Sequence, residues 1–131
     1  MEPQEDKQLA RLYDYTKFHI GIYLSFAAGI SALLGTEKAG WFVSKLVAAN
    51  TGPLYASLAF MVLAGMCGGV VASSTIECRT FADFWAKPQG PQSIRFLRCQ
   101  GKFWAMLEHL FFWLSLLLLA YAVAYGFSNR G

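Results

Sequence analysis

The sequence predicts an all-α integral membrane protein with three transmembrane helices, an amphipathic N-terminal helix and interfacial helices in its loops. Two observations carry the prediction. The 131 residues are 56% hydrophobic and 16% aromatic, with a mean hydropathy of +0.39. A water-soluble domain of this size has too small a core to bury so much apolar surface. In addition, residues 103–127 form a nearly unbroken apolar stretch that is long enough to cross a bilayer.

Length, charge and cysteine content limit the remaining classes. The chain is long enough for one domain, so residues 1–131 are assigned to a single membrane domain. The net charge of +3 is modest, and basic residues in flanks and loops are typical of topology signals, so we predict no nucleic-acid binding. Three cysteines without metal-type spacing predict neither a disulfide framework nor a zinc site. The N-terminus does not resemble a removable signal peptide.

The first part of the chain predicts an amphipathic lead-in helix and a span. In residues 3–16, apolar side chains recur at helical spacing among charged ones, which suits a helix at the lipid headgroups. Residues 18–34 carry no formal charge apart from an imidazole and are just long enough to span. Small residues that let another helix approach closely recur along this span: Gly21, Ser25 and Gly29.

The second span is predicted at residues 54–76, with Pro53 in its first turn. The preceding connection, residues 35–52, is predicted to contain an interfacial helix that ends at Gly52. The span contains a GxxxG pair and two offset rows of small residues, which indicate a central helix that contacts both neighbours. The small residues assigned to helix packing are Gly65, Gly68, Gly69 and Ala72.

Residues 77–102 form a basic loop that a PQGP turn divides into two amphipathic halves, each with an aromatic or apolar side and basic residues. By the positive-inside rule, this loop and the N-terminus are cytoplasmic and the C-terminus lies on the opposite side. Cys78 and Cys99 flank the loop beside basic residues. This is a setting for palmitoylation or a lowered thiol pKa, and the alternative is that both are free cysteines without a role.

The third span, residues 103–127, contains Glu108 and His109 as its only ionisable groups before its terminal tyrosines. Ionisable residues inside a membrane are functional-site candidates because an unpaired charge is costly there. Neighbours in a helix point about 100° apart, so one of the pair is expected to line an interior or a pore while the other faces a neighbour. Together they are a candidate proton-sensitive element. The alternative is a structural role with partners in the bundle.

His19 is expected in the same half of the bilayer as His109, because the first and third spans start from the same face. We predict no cofactor, with bis-imidazole haem ligation by His19 and His109 as the alternative. Tyr23, with Glu108, is a candidate for contacting a quinone head group or for partnering the polar pair. No phosphate loop, nucleophile elbow or metal-binding motif is present in the sequence, so an enzyme is not predicted.

The small-residue faces exceed what contacts within three helices can use. The expected function is therefore self-association in the lipid bilayer, in the form of a channel or pore. The alternatives are a non-catalytic subunit of a larger membrane complex and a membrane anchor that binds haem or a quinone.

Overall fold

A computed structural model describes residues 7–35, 41–90 and 99–128. These residues are mostly helical, and three helices are long and apolar enough to cross a membrane, as the sequence predicts. The three candidate membrane spans are Lys7–Leu34, Thr51–Glu77 and Gly101–Gly126. The elements in chain order are α1 (Lys7–Leu34), α2 (Trp41–Glu77), α3 (Phe81–Ala86), β1 (Pro88–Gln89), β2 (Cys99–Gln100) and α4 (Gly101–Ser128).

The predicted lead-in helix at residues 3–16 and the first span at residues 18–34 form one continuous helix, α1, over the described residues. Residues 3–6 of the lead-in lie outside the described part. No glycine or proline lies between the two predicted segments, so no residue there favours a helix end. The inward face of α1 repeats every seven residues, which is helical spacing. The buried residues on it are Leu9, Thr16, Tyr23 and Ile30.

The predicted helix end at Gly52 is wrong, because α2 continues through Pro53 from Trp41 to Glu77. A proline inside a helix removes one backbone hydrogen bond, and sequence reasoning therefore places a helix start there. Tertiary packing can override that tendency, and Leu54, the next residue, is fully buried. The expected interfacial helix at residues 35–52 is therefore the first part of α2 from Trp41 onward, and residues 36–40 lie outside the described part.

As predicted for the second span, α2 is the central helix and packs against both α1 and α4. One apolar cluster has Leu9 of α1, Val71 of α2 and Phe84 of α3 as its buried members. Trp104 and Ala105, at the start of α4, pack against it. A second cluster lies nearer the middle of the helices and is formed by Tyr23, Met61 and Ala64. The N-terminal ends of α1 and α4 therefore lie at the same end of the bundle as the C-terminal end of α2.

A small cap, formed by α3, β1 and β2, closes this end of the bundle. Thr80 caps α3 by accepting a hydrogen bond from the Asp83 backbone N–H (3.1 Å). The fully buried Phe84 packs against the helix ends. β1 and β2 pair antiparallel, with Pro88 opposite Gln100. The aromatic half of the predicted loop is thus helical at Phe81–Ala86, whereas its second half, residues 91–98, lies outside the described part.

Two ionisable groups at this end of the bundle, one in the cap and one just before it, have shifted pKa values. The Lys87 ammonium lies 2.8 Å from the Asp83 carboxylate, and this hydrogen bond lowers the pKa of that exposed carboxyl. At Cys78 the expectation of a lowered thiol pKa is wrong, because partial burial raises the pKa of this thiol. The Gln89 side-chain amide donates to the Cys78 sulfur (3.4 Å). Cys67, Cys78 and Cys99 are all free cysteines.

Candidate functional site

All three long helices meet at Glu108 of α4, whose side chain is only 1% exposed. Tyr23 of α1, also 1% exposed, donates its hydroxyl hydrogen to Glu108 Oε1 over 2.8 Å. From α2, Gly68 provides the space for this contact: a Cβ atom there would lie 3.4 Å from the Glu108 carboxyl carbon and 3.1 Å from Ile20 Cγ1. The absence of a side chain at Gly68 therefore allows α1 and α4 to join across α2.

His109 is half-buried and lies at the margin of the same junction. Its Nδ1 lies 2.7 Å from the Ala105 carbonyl oxygen, which can only accept a hydrogen bond. The hydrogen of a neutral ring is therefore on Nδ1, and Nε2 carries the lone pair. The Tyr15 hydroxyl donates to that Nε2 over 3.1 Å. Tyr15 was not among the residues that the sequence marked as candidates, although it lies four residues before His19 on the same face of α1.

The structure brings His19 to the same place. Its Nδ1 donates to the Tyr15 carbonyl oxygen at 2.8 Å, and its ring centroid lies 3.9 Å from that of Tyr15. The centroids of His19 and His109 are 6.2 Å apart, and those of His19 and Tyr23 are 6.0 Å apart. We call this group of five side chains the polar cluster: Tyr15, His19, Tyr23, Glu108 and His109.

Exposure decreases through the polar cluster from α1's outer surface to the helix junction. Tyr15 is 47% exposed, both histidines are half-buried, and Tyr23 and Glu108 are almost completely buried. Within the described residues, no lysine or arginine forms an ion pair with Glu108. The cluster therefore has one partly exposed side, at Tyr15 and the histidines, and a carboxyl group that the three helices enclose.

The position of Glu108 and His109 bears on the predicted pore and haem roles. Glu108 faces the interior of a single chain, where α1 and α2 cover it, so this carboxyl does not line a lumen between copies. The haem alternative requires that both imidazoles bind one iron ion. The ring centroids of His19 and His109 lie 6.2 Å apart, but Nε2 of His109 already accepts a hydrogen bond from the Tyr15 hydroxyl. Haem ligation by this pair would require the Tyr15 side chain to move away from both imidazole rings. In the described part, no group of three or more histidine, cysteine and acidic side chains is placed to hold a metal ion.

The residues assigned to helix packing divide into two sets. Gly68 is buried, a Cβ atom at Gly65 would lie 4.0 Å from Tyr23 Cβ, and Ala72 is half-buried, so these three face the other helices. The second set is exposed on the single chain: Gly21, Ser25, Gly29 and Gly69. A Cβ atom at any of these three glycines would meet nothing within 4 Å. The prediction that the α1 face packs against protein is therefore not met within one chain.

A reciprocal serine contact joins α2 and α4, and sequence reasoning missed it. Ser57 Oγ donates to the Ser115 carbonyl oxygen (2.9 Å), and Ser115 Oγ donates to the Ser57 carbonyl oxygen (2.8 Å). Both serines are fully buried. The small residues of the second span could have suggested Ser57, but nothing in an aliphatic stretch singles out Ser115 as its partner.

Replacing Ser57 by alanine is expected to lower the free energy of unfolding by about 1 kcal/mol, the usual scale for one hydrogen bond between membrane helices. Thermal unfolding in detergent would measure this loss. Ser73→Ala is the matched control, because the hydroxyl of the exposed Ser73 donates to the Val70 carbonyl oxygen of its own helix (3.1 Å). Equal losses of stability in Ser57→Ala and Ser73→Ala would contradict a contribution of the contact between α2 and α4.

Comparison of the chain with protein-family models, with curated proteins and with solved structures finds no match.

Proposed function

We propose that this chain is an integral membrane protein that works as an assembly of copies, joined through an exposed face of α1. We call this face the assembly face and define it by Gly21, Ser25 and Gly29. Membrane insertion is supported by the three long apolar helices. Outside water, no hydrophobic force drives helices together, and their association depends on close van der Waals contact at small residues.

The proposed orientation places the cap and the start of α1 in the cytoplasm and the C-terminus on the opposite side. Its support is the concentration of basic residues at that end of the bundle, which the positive-inside rule assigns to the cytoplasm. The described residues concerned lie at the start of α1, around α3 and at the start of α4: Lys7, Arg11, Lys17, Arg79, Lys87 and Lys102.

The observation that carries the assembly proposal is the open groove beside the assembly face. Its volume is about 340 Å³, and its lining is almost entirely apolar. Ser25 and Gly29 form part of this lining together with Ile30 and Leu33 of α1 and Leu119 of α4. A helix seated on the assembly face would meet small residues in the centre and a groove at the side, which is the shape that close helix contacts in membranes use.

The test is the oligomeric state in lipid nanodiscs, measured by mass photometry and by chemical crosslinking. We expect the parent protein to form a defined homo-oligomer and Gly29→Leu to reduce it at least tenfold, because a leucine would hold the incoming helix away. Gly69→Leu is the matched control: it makes the same change at an exposed glycine with open space on α2. A monomeric parent, or loss of the oligomer only in Gly69→Leu, would refute the assembly face.

A proton channel is the narrower form of this proposal, and the observation in its favour is the partly exposed side of the polar cluster at Tyr15 and His109. Proton flux into liposomes carrying the purified protein tests it. We expect flux in the parent and its loss in His109→Gln. If the chain instead purifies as a monomer with a second membrane protein, the function is that of a non-catalytic subunit.

A further inference from the structure

We propose that the polar cluster binds one exchangeable proton inside the membrane, shared between the Glu108 carboxyl and the imidazoles of His19 and His109. The inference rests on the proposed membrane insertion. It does not depend on self-association, because all five side chains of the cluster belong to one chain.

Charge balance requires such a proton. With both imidazoles neutral and Glu108 ionised, the cluster carries a negative charge on a carboxylate that is 1% exposed. The hydrogen bond that this carboxylate receives, from the Tyr23 hydroxyl, does not neutralise it. In hydrocarbon a charge of this kind is strongly unfavourable. One added proton removes the net charge, whether it is on Glu108 or on an imidazole.

The groups that face Glu108 limit where the positive charge can arise. From α1 they are His19 and Tyr23, and from α2 the Cys67 thiol. On its own helix the neighbour is His109. Phenols and thiols supply no positive charge, so only the two imidazoles can balance an ionised Glu108. The proton therefore has three sites that it can occupy, the Glu108 carboxyl and the two imidazoles, and it belongs to the cluster as a whole.

Tyr15 and His109 provide the entry. The Tyr15 hydroxyl is on the exposed side and already donates to His109 Nε2. When a hydronium ion gives a proton to the Tyr15 oxygen, the original hydroxyl hydrogen passes to Nε2. Water and an imidazolium are the products, and the phenol is regenerated. The heavy atoms need not move, because the hydrogen bond between Tyr15 and His109 only reverses its direction.

The experiment is a pH titration of the protein in lipid, followed by infrared spectroscopy with labelled glutamate and by nitrogen-15 magnetic resonance of the imidazoles. Over about pH 5 to 8, where histidine charge changes are expected, the carboxylic-acid band and the imidazole signals should change in one step. In Glu108→Gln the band should disappear, because Glu108 is the buried carboxyl that gives rise to it.

The control is Glu77→Gln, which makes the same change at an exposed glutamate and should leave both signals as in the parent. Tyr15→Phe should slow proton exchange at His109 at least tenfold, whereas Tyr55→Phe, at another exposed tyrosine, should not. The parent spectrum decides the question even if Glu108→Gln fails to fold. Independent titration of the carboxyl and imidazole signals, or no buried carboxyl band in this pH range, would overturn the proposal.

Discussion

Replacement of Gly101 by alanine is expected to detach the cap from α4 and to lower the free energy of unfolding by about 1 to 3 kcal/mol. A Cβ atom at Gly101 would clash with the Phe84 backbone carbonyl oxygen and would lie 2.8 Å from Phe84 Cζ. The carbonyl belongs to α3 and cannot rotate away as a flexible side chain would. Phe84 itself is fully buried, so relief of the clash requires α3 to move as a unit.

A loss of stability in Gly101→Ala indicates the clash, because helix propensity alone predicts a gain. Alanine in place of glycine favours a helix by about 1 kcal/mol when the site is open. Gly21→Ala is therefore the control, since it makes the same change within α1 where a Cβ meets nothing within 4 Å. Thermal unfolding in detergent, together with Trp104 fluorescence, measures the outcome, because the Trp104 indole donates to the Gln89 carbonyl oxygen in the cap (3.1 Å). Stabilisation by Gly101→Ala would contradict the close approach.

The three long helices are predictable from sequence because span length and apolar composition are properties of each segment alone. The breaks between segments are not. Pro53 favours a helix start locally, yet α2 continues through it, and the next residue, Leu54, is fully buried. The pairing of β1 with β2 likewise cannot be predicted from the sequence, because strands of two residues carry no periodic pattern.

The candidate site is predictable to the level of residue type and depth. Glu108 and His109 stand out as ionisable groups in an apolar stretch, and His19 and Tyr23 follow from their expected depth. The rotation of each helix about its axis is what the sequence does not supply. That rotation directs Gly68 toward Glu108 and Gly69 toward open space, although the two glycines are adjacent. It also brings Tyr15 onto His109, a contact between residues far apart in the chain.

This difference between adjacent glycines yields the second large prediction. Gly68→Leu is expected to lower the free energy of unfolding by about 3 kcal/mol, because overpacking and a lost buried hydrogen bond act together. Its Cβ alone would lie 3.1 Å from Ile20 Cγ1 and 3.4 Å from Glu108 Oε1. The remaining leucine atoms would separate α1 from α4 and break the contact between Tyr23 and Glu108.

Gly69→Leu is the matched control, with the same change in volume and propensity one residue later on the same helix. It is expected to be at least as stable as the parent when the protein is monomeric in detergent, because leucine has a higher helix propensity than glycine and meets no neighbour at this site. A spin-label distance between the starts of α1 and α4 gives an independent reading, which should increase in Gly68→Leu alone. Equal destabilisation by both leucines would mean that α2 is rotated from the orientation that places Gly68 against the carboxyl. In that case neither the burial of Glu108 nor its sharing of a proton with the imidazoles would follow.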